Sequence, residues 1–201
     1  MPNGHVFIIL WPATGFAPTL FGKATGENVT MGKLSDLNRA DHDEAIAIVS
    51  PLIERAPQIA AKVAARRPFR TAEDLSHAIS AELRELDEAA QVALFRAHPE
   101  LAPDNPLAMT AESQAEQGRL NLTARDTEHR EDLAELNARY NDKYGFPFIT
   151  ALVRHKDMES VLQEFRTRLA NDRESELEAA IGQITAVSAA RVQAAFGSDD
   201  A

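Results

Sequence analysis

The chain has 201 residues, 44% hydrophobic and 26% charged, an ordinary composition for one globular domain. Its 21 Lys and Arg against 31 Asp and Glu leave a formal charge of −10, which disfavours nonspecific association with nucleic acid or an anionic membrane. Cysteine is absent, excluding disulfides, thiolate metal ligands and cysteine nucleophiles, and no apolar run approaches the ~20 residues of a membrane span.

Residues 1–30 differ from the rest. They hold four of the nine Gly, three of the ten Pro and the single Trp, with Lys23 and Glu27 their only charges. The apolar stretch Val6–Trp11 is too short to span a bilayer and lacks the basic flank of a secretory signal. These residues read as a disordered or loosely docked extension, with Met31 as an alternative start. The functional alternative is a partner-docking arm using Phe7, Ile8, Ile9, Leu10 and Trp11. The domain proper is then 31–201.

From residue 31 onward helical spacing dominates and period-2 alternation is scarce. A first helix opens at Asp41 or its neighbours and carries Ala45, Ile46, Ile48 and Val49 up to Pro51. Pro57 suits the first turn of a second helix, which runs to about Ala65. Thr71 and Asp74 resemble a capping box for a third helix through Ile79, Leu83 and Leu86. Asp87 caps a fourth, in which Leu94 and Phe95 are followed by Ala97, His98 and Pro99. A residue before proline is pushed out of the α region, so His98 marks that helix's end.

Thr110 caps a fifth segment through Leu120. A sixth helix runs from about Arg125 to Tyr144 with Leu133, Leu136 and Tyr140 on one stripe, and Gly145 stops it. Phe146–Thr150 forms a short apolar extended stretch. Asp157 restarts a helix through Val161, Leu162, Phe165 and Leu169. Asp172 opens the last, with Leu177, Ile181, Ile184 and Val187 as its stripe and Phe196 near its end. The expected fold is all-α, a single compact domain of about seven or eight helices.

No His pair has the i,i+4 spacing of a helical zinc motif, and no nucleophile elbow, P-loop or dinucleotide loop is present. A dedicated metal site is therefore not expected. Three stretches could carry chemistry. His98, held between an apolar helix end and Pro99, could exchange a proton near neutral pH, although a plain helix C-cap explains it as well. On a helix, Ser113, Glu116 and Gln117 would share one face and suit a ligand rich in N–H and C=O groups, or form an ordinary solvated face. Gly145-Phe146-Pro147-Phe148-Ile149 could offer extended backbone to a ligand or simply plug the core.

Those stretches, in that order, resemble the 2-oxo-4-hydroxy-4-carboxy-5-ureidoimidazoline (OHCU) decarboxylase family of urate breakdown. The matching text is Phe95-Arg96-Ala97-His98-Pro99-Glu100-Leu101, then Ser113-Gln114-Ala115-Glu116-Gln117. Leu136-Asn137-Ala138-Arg139-Tyr140 follows, running into Lys143-Tyr144-Gly145-Phe146-Pro147-Phe148-Ile149. The likeness spans about residues 34–196, including Arg67-Pro68-Phe69 and the closing helix with Arg191. It departs at Glu100, where the family usually has Asp, and in the Pro- and Asn-rich connection from Leu101 to Thr110. Residues 1–30 have no family counterpart.

The resemblance implies a cofactor-free, all-helical enzyme, usually a homodimer, that decarboxylates a small anionic ureidoimidazoline to (S)-allantoin. Carried over by position, His98, Glu116 and Arg191 are its catalytic residues, with Glu116 expected to fix the imidazole tautomer and raise its pKa. Substrate contacts would come from Pro99, Ser113, Gln114, Ala115, Glu116 and Gln117, and from the Phe148, Ile149, Thr150, Ala151, Leu152 backbone. The rival readings are a non-enzymatic helical interaction module, with His98, Glu116 and Arg191 far apart, and a lyase or hydrolase acting on another ureide. The enzyme reading requires these groups to converge beside Phe148. The C-terminal Gly197–Ala201 carries no peroxisomal Ser-Lys-Leu address, so the expectation is a soluble cytoplasmic protein.

Overall fold

Asp41, Thr71, Asp87, Asp157 and Asp172 each accept, at the side chain, the backbone N–H three residues ahead, at 2.8–3.1 Å. Each opens a helix, because this contact satisfies one of the donors that a first turn leaves without an intrahelical partner. The computed structural model describes residues 33–101 and 129–197. In chain order its α-helices are α1 (Leu34–Arg39), α2 (His42–Val49), α3 (Pro57–Ala65), α4 (Ala72–Arg84), α5 (Glu88–Arg96), α6 (Arg130–Tyr144), α7 (Met158–Arg168) and α8 (Arg173–Phe196). Short 3₁₀ turns cover Ser50–Leu52 and Leu152–Arg154. Among the described residues there is no strand, and the fold is all-α.

Several boundaries depart from the sequence reading. The helix α1 is not anticipated, since six residues are too few to show a period; it is held by its buried Leu34 and Leu37. Thr71 and Asp74 form only half of a capping box: Asp74 Oδ2 accepts from the N–H of Arg70 instead of Thr71. The reciprocal bond normally uses Glu or Gln at that position. That helix also stops at Arg84, before Leu86. The segment expected over Thr110–Leu120, the start of the sixth helix at Arg125 and the extension 1–30 lie outside the described residues.

The long helix α8 is the spine. It packs most extensively against α4 and also against α5, while α2, α3 and α4 pack in succession and α6 lies on α7. Where α3 ends, the loop to α4 is clipped to α1. Asn38 donates to the carbonyl of Phe69 at 2.7 Å and accepts its N–H at 2.8 Å, and Arg67 Nη1 reaches the carbonyls of Leu37 and Asp41. Gly145 terminates α6 in the left-handed region at φ 74°, which a residue without Cβ adopts freely.

That turn feeds the extended stretch through an aromatic cluster. Tyr140 lies edge-on to Phe146, Phe148 and Phe165, and the rings of Phe148 and Phe165 stack at 4.0 Å. Burying each such side chain stabilises the fold by roughly 1.5–3 kcal/mol, which anchors one end of the stretch. Behind it lies a buried ion cluster. Glu176 is fully buried and accepts from Arg168 Nε at 2.9 Å, from Asn171 Nδ2 at 2.8 Å and from the Tyr140 hydroxyl. No helix among the described residues is long and apolar enough to cross a membrane.

Candidate active site

The helix α5 ends on Ala97, and the N–H of His98 bonds back to the carbonyl of Phe95 at 2.9 Å. The imidazole turns onto its own helix, with Nδ1 3.0 Å from the carbonyl oxygen of Leu94. A carbonyl only accepts, so Nδ1 carries the proton and Nε2 is the basic nitrogen of the neutral ring. Burial lowers the pKa of His98 below its ordinary imidazole value, with the Glu54 carboxylate pulling the other way. The structure thus assigns the tautomer to Leu94, where the sequence had looked to Glu116. It also makes the ring less basic than an exposed one, where the sequence had expected a rise; Glu116 itself lies outside the described residues.

His98 and Pro99 line a cavity of about 280 Å³. The opposite walls are the stretch from Phe148 to Val153 and the face of α8 that carries Gln183, Ile184, Val187, Ser188 and Arg191. His98, Pro99, Phe148, Ile149, Thr150, Ala151, Leu152 and Arg191, eight of the residues anticipated from sequence, therefore face one space. Ser113, Gln114, Ala115, Glu116 and Gln117 lie outside the described residues. Among the described residues no group of three or more His, Asp or Glu side chains is arranged to hold a metal ion.

Arg191 projects from α8 toward the turn between α2 and α3. Its Nη1 donates to the carbonyl of Pro51 at 3.3 Å and its Nη2 to Glu54 Oε2 at 3.0 Å. Glu54 also lines the cavity. It is followed by Arg55, whose φ of 57° is unusual for a residue with a Cβ. Sequence reasoning missed Glu54, because a single carboxylate between Pro51 and Pro57 shows neither periodicity nor spacing to a partner far along the chain. It missed Gln183 as well, one polar residue among many along a 24-residue helix.

The extended stretch is less open than the sequence suggested. The carbonyl of Ile149 accepts from Arg168 Nη1 at 2.6 Å, and the N–H of Ala151 donates to Gln183 Oε1 at 3.1 Å. The carbonyl of Ala151 accepts from Arg154 at 2.9 Å as the 3₁₀ turn begins. Phe146 and Phe148 plug the core, as one sequence reading expects, while Phe148–Leu152 walls the cavity with several of its backbone groups already satisfied within the protein.

Known proteins resemble this chain in both sequence and fold. The family model described as OHCU decarboxylase matches residues 38–193. The chain is 37% identical over 163 residues to a 2-oxo-4-hydroxy-4-carboxy-5-ureidoimidazoline decarboxylase of Mus musculus, covering 80% of this chain and 91% of that one. A protein of the same name from Halalkalicoccus jeotgali is 30% identical over 160 residues, covering 80% and 89%. In fold, the chain is similar to a crystal structure of OHCU decarboxylase in the presence of (S)-allantoin, with a TM-score of 0.56 and 20% identity over 70% of this chain and 91% of that one. It is also similar to a crystal structure of (S)-allantoin synthase, with a TM-score of 0.60 and 23% identity over 82% of this chain and 53% of that one. With a family model matching most of its length, and relatives matching over nearly all of theirs, the chain belongs to the OHCU decarboxylase family.

Proposed function

We propose that this chain is a carboxy-lyase that converts 2-oxo-4-hydroxy-4-carboxy-5-ureidoimidazoline to (S)-allantoin in urate degradation, using its own side chains. The observation that carries the reading is the meeting of His98 and Arg191 on one cavity walled by Phe148–Leu152. An interaction module has no need to bring a desolvated imidazole and a guanidinium from distant stretches to a common concave space.

In the reaction, the bond to the carboxylate breaks, CO2 leaves, and its electron pair passes into the ring. The neutral Nε2 of His98 takes the proton of the neighbouring hydroxyl and returns one to a single face of the adjoining carbon. One proton from solvent takes the place of the CO2. Arg191 supplies a cation for the anionic substrate. Ser113, Gln114, Ala115, Gln117 and the 148–152 backbone orient the ureido arm, with Glu116 a second catalytic group and Pro99 part of the wall. General acid–base catalysis of this kind contributes typically ~10²–10⁴-fold.

The test is a coupled urate oxidation in which circular dichroism follows (S)-allantoin. Wild type accelerates its formation, and His98→Ala loses nearly all of that while keeping its helical signal. Wild-type turnover in folded His98→Ala would remove the imidazole from the mechanism. A panel of other ureides checks specificity, because a polar pocket rejects analogues that leave its groups unpaired.

We further infer a cytoplasmic homodimer, on the family resemblance and the acidic, cysteine-free composition; light scattering and fractionation test the two parts. We also read residues 1–30 as an extension on a 31–201 domain, supported by a family match that begins at residue 38. Deleting them is expected to leave turnover intact.

A further inference from the structure

Behind the cavity wall, Glu164 on α7 meets four side chains at once. Its Oε2 lies 3.0 Å from the Thr150 hydroxyl and 2.8 Å from His155 Nε2. Its Oε1 lies 3.2 Å from Arg168 Nη1 and 3.1 Å from Gln183 Nε2. Two of these side chains grip the extended stretch on their own account: Arg168 through the carbonyl of Ile149, Gln183 through the N–H of Ala151. Arg168 also lies over the Phe148 ring at 4.6 Å.

The polarity of the arrangement matters more than its strength. A carboxylate can only accept, so Gln183 must turn its NH2 to Glu164 and its carbonyl oxygen to the N–H of Ala151. Were that amide to flip, its NH2 would meet a backbone N–H. We propose that Glu164 is the positioning residue of the cavity's extended wall: by fixing Gln183 and Arg168 it holds Ile149–Ala151 in the one backbone setting that the substrate meets. For its kinetic readout the inference rests on the decarboxylase reading; for its structural readout it does not.

Glu164→Gln keeps shape but places an NH2 where donors already converge. Folding is checked by helical signal and unfolding midpoint. Amide hydrogen exchange over residues 148–152 is expected to speed up at least ~10-fold while α4 and α8 stay protected, as for loss of one charge-assisted hydrogen bond. With substrate, KM is expected to rise by about tenfold or more, with kcat falling less. Gln183→Glu, which sets two carboxylates face to face, is expected to raise KM similarly.

The exchanged pair, Glu164→Gln with Gln183→Glu, restores an acceptor for Ala151 and a donor facing it. It is expected to recover most of the loss. Gln183→Ala, a milder change, tests the same contact should Glu164→Gln fold poorly. Unchanged exchange over 148–152 in either single variant overturns the proposal. So does a KM in the exchanged pair that equals the product of the two single effects. Inactive wild type would refute the decarboxylase reading alone, and the exchange measurement would still decide this one.

Discussion

Arg191 and Glu54 stand 137 positions apart in sequence, yet Arg191 Nη2 lies 3.0 Å from Glu54 Oε2 at the rim of the cavity that His98 lines. The guanidinium is therefore oriented before any anion arrives, and part of its field is offset by the carboxylate. Orientation and attraction pull apart here, which makes their contributions separable.

Glu54→Gln keeps a hydrogen-bond acceptor for Arg191 but removes the opposing charge. The anionic substrate then meets a stronger field from a less firmly held cation. The expected outcome is a kcat lower by about tenfold with KM unchanged or lower, since misplacement acts on the reacting geometry. Steady-state kinetics on the coupled assay read both constants. A raised KM with unchanged kcat would mean that Glu54 itself binds substrate.

Substitution of Arg191 asks whether charge alone suffices. The side chain reaches two separate acceptors, the Pro51 carbonyl through Nη1 and Glu54 through Nη2. A lysine ammonium is one point charge on a flexible stem and cannot reproduce that fork. Arg191→Lys is therefore expected to lose roughly as much kcat/KM as Arg191→Ala, at least ~10-fold, the scale of a lost charge-assisted contact. A clearly milder loss in the lysine variant would favour simple placement of charge.

The helices were legible where a local signal exists. Asp41, Thr71, Asp87, Asp157 and Asp172 cap where a short acceptor before an apolar period says they should, and Gly145 ends α6 as its position suggests. Within the site, His98 and Gly145–Ile149 stood out because proline and aromatic residues mark breaks in the helical pattern, whereas Ala151, Leu152 and Arg191 came only with the family resemblance. The pairing of Glu54 with Arg191 and the four-way hold of Glu164 left no such trace. Each depends on packing of elements far apart in sequence, and a carboxylate on an amphipathic helix looks the same whether it meets water or four side chains.

The buried carboxylate of Glu176 separates two kinds of loss. Removing it by Glu176→Ala strips Arg168, itself buried, of its strongest partner, and breaking a buried pair in this way costs about 3–5 kcal/mol. Tyr140→Phe removes only one donor, while Arg168 and Asn171 continue to serve the carboxylate, so about 1 kcal/mol is expected. The ring contacts with Phe146, Phe148 and Phe165 survive that change. Urea unfolding at neutral pH measures both. Equal losses would mean that the Tyr140 hydroxyl, and not the ion pair, secures this cluster.

The pH dependence follows from the surroundings of His98. Burial lowers its pKa from the usual 6.5, Glu54 raises it in part, and Arg191 and Arg55 lower it. The neutral ring thus persists below pH 6.5, and the acid limb of kcat/KM is expected below that value. Glu54→Gln removes a raising charge and should shift the limb further down; Arg191→Ala removes a lowering one and should shift it up. The sign for stability is also set. Below 6.5 the unfolded chain takes up a proton at His98 that the folded chain refuses, so stability falls as pH drops through that window and is unaffected above it. Between about pH 7 and pH 5, wild type should therefore lose more unfolding free energy than His98→Gln, which has no group to titrate there. Parallel losses in the two proteins, read from urea midpoints, would show that the imidazole is as freely protonated in the fold as out of it.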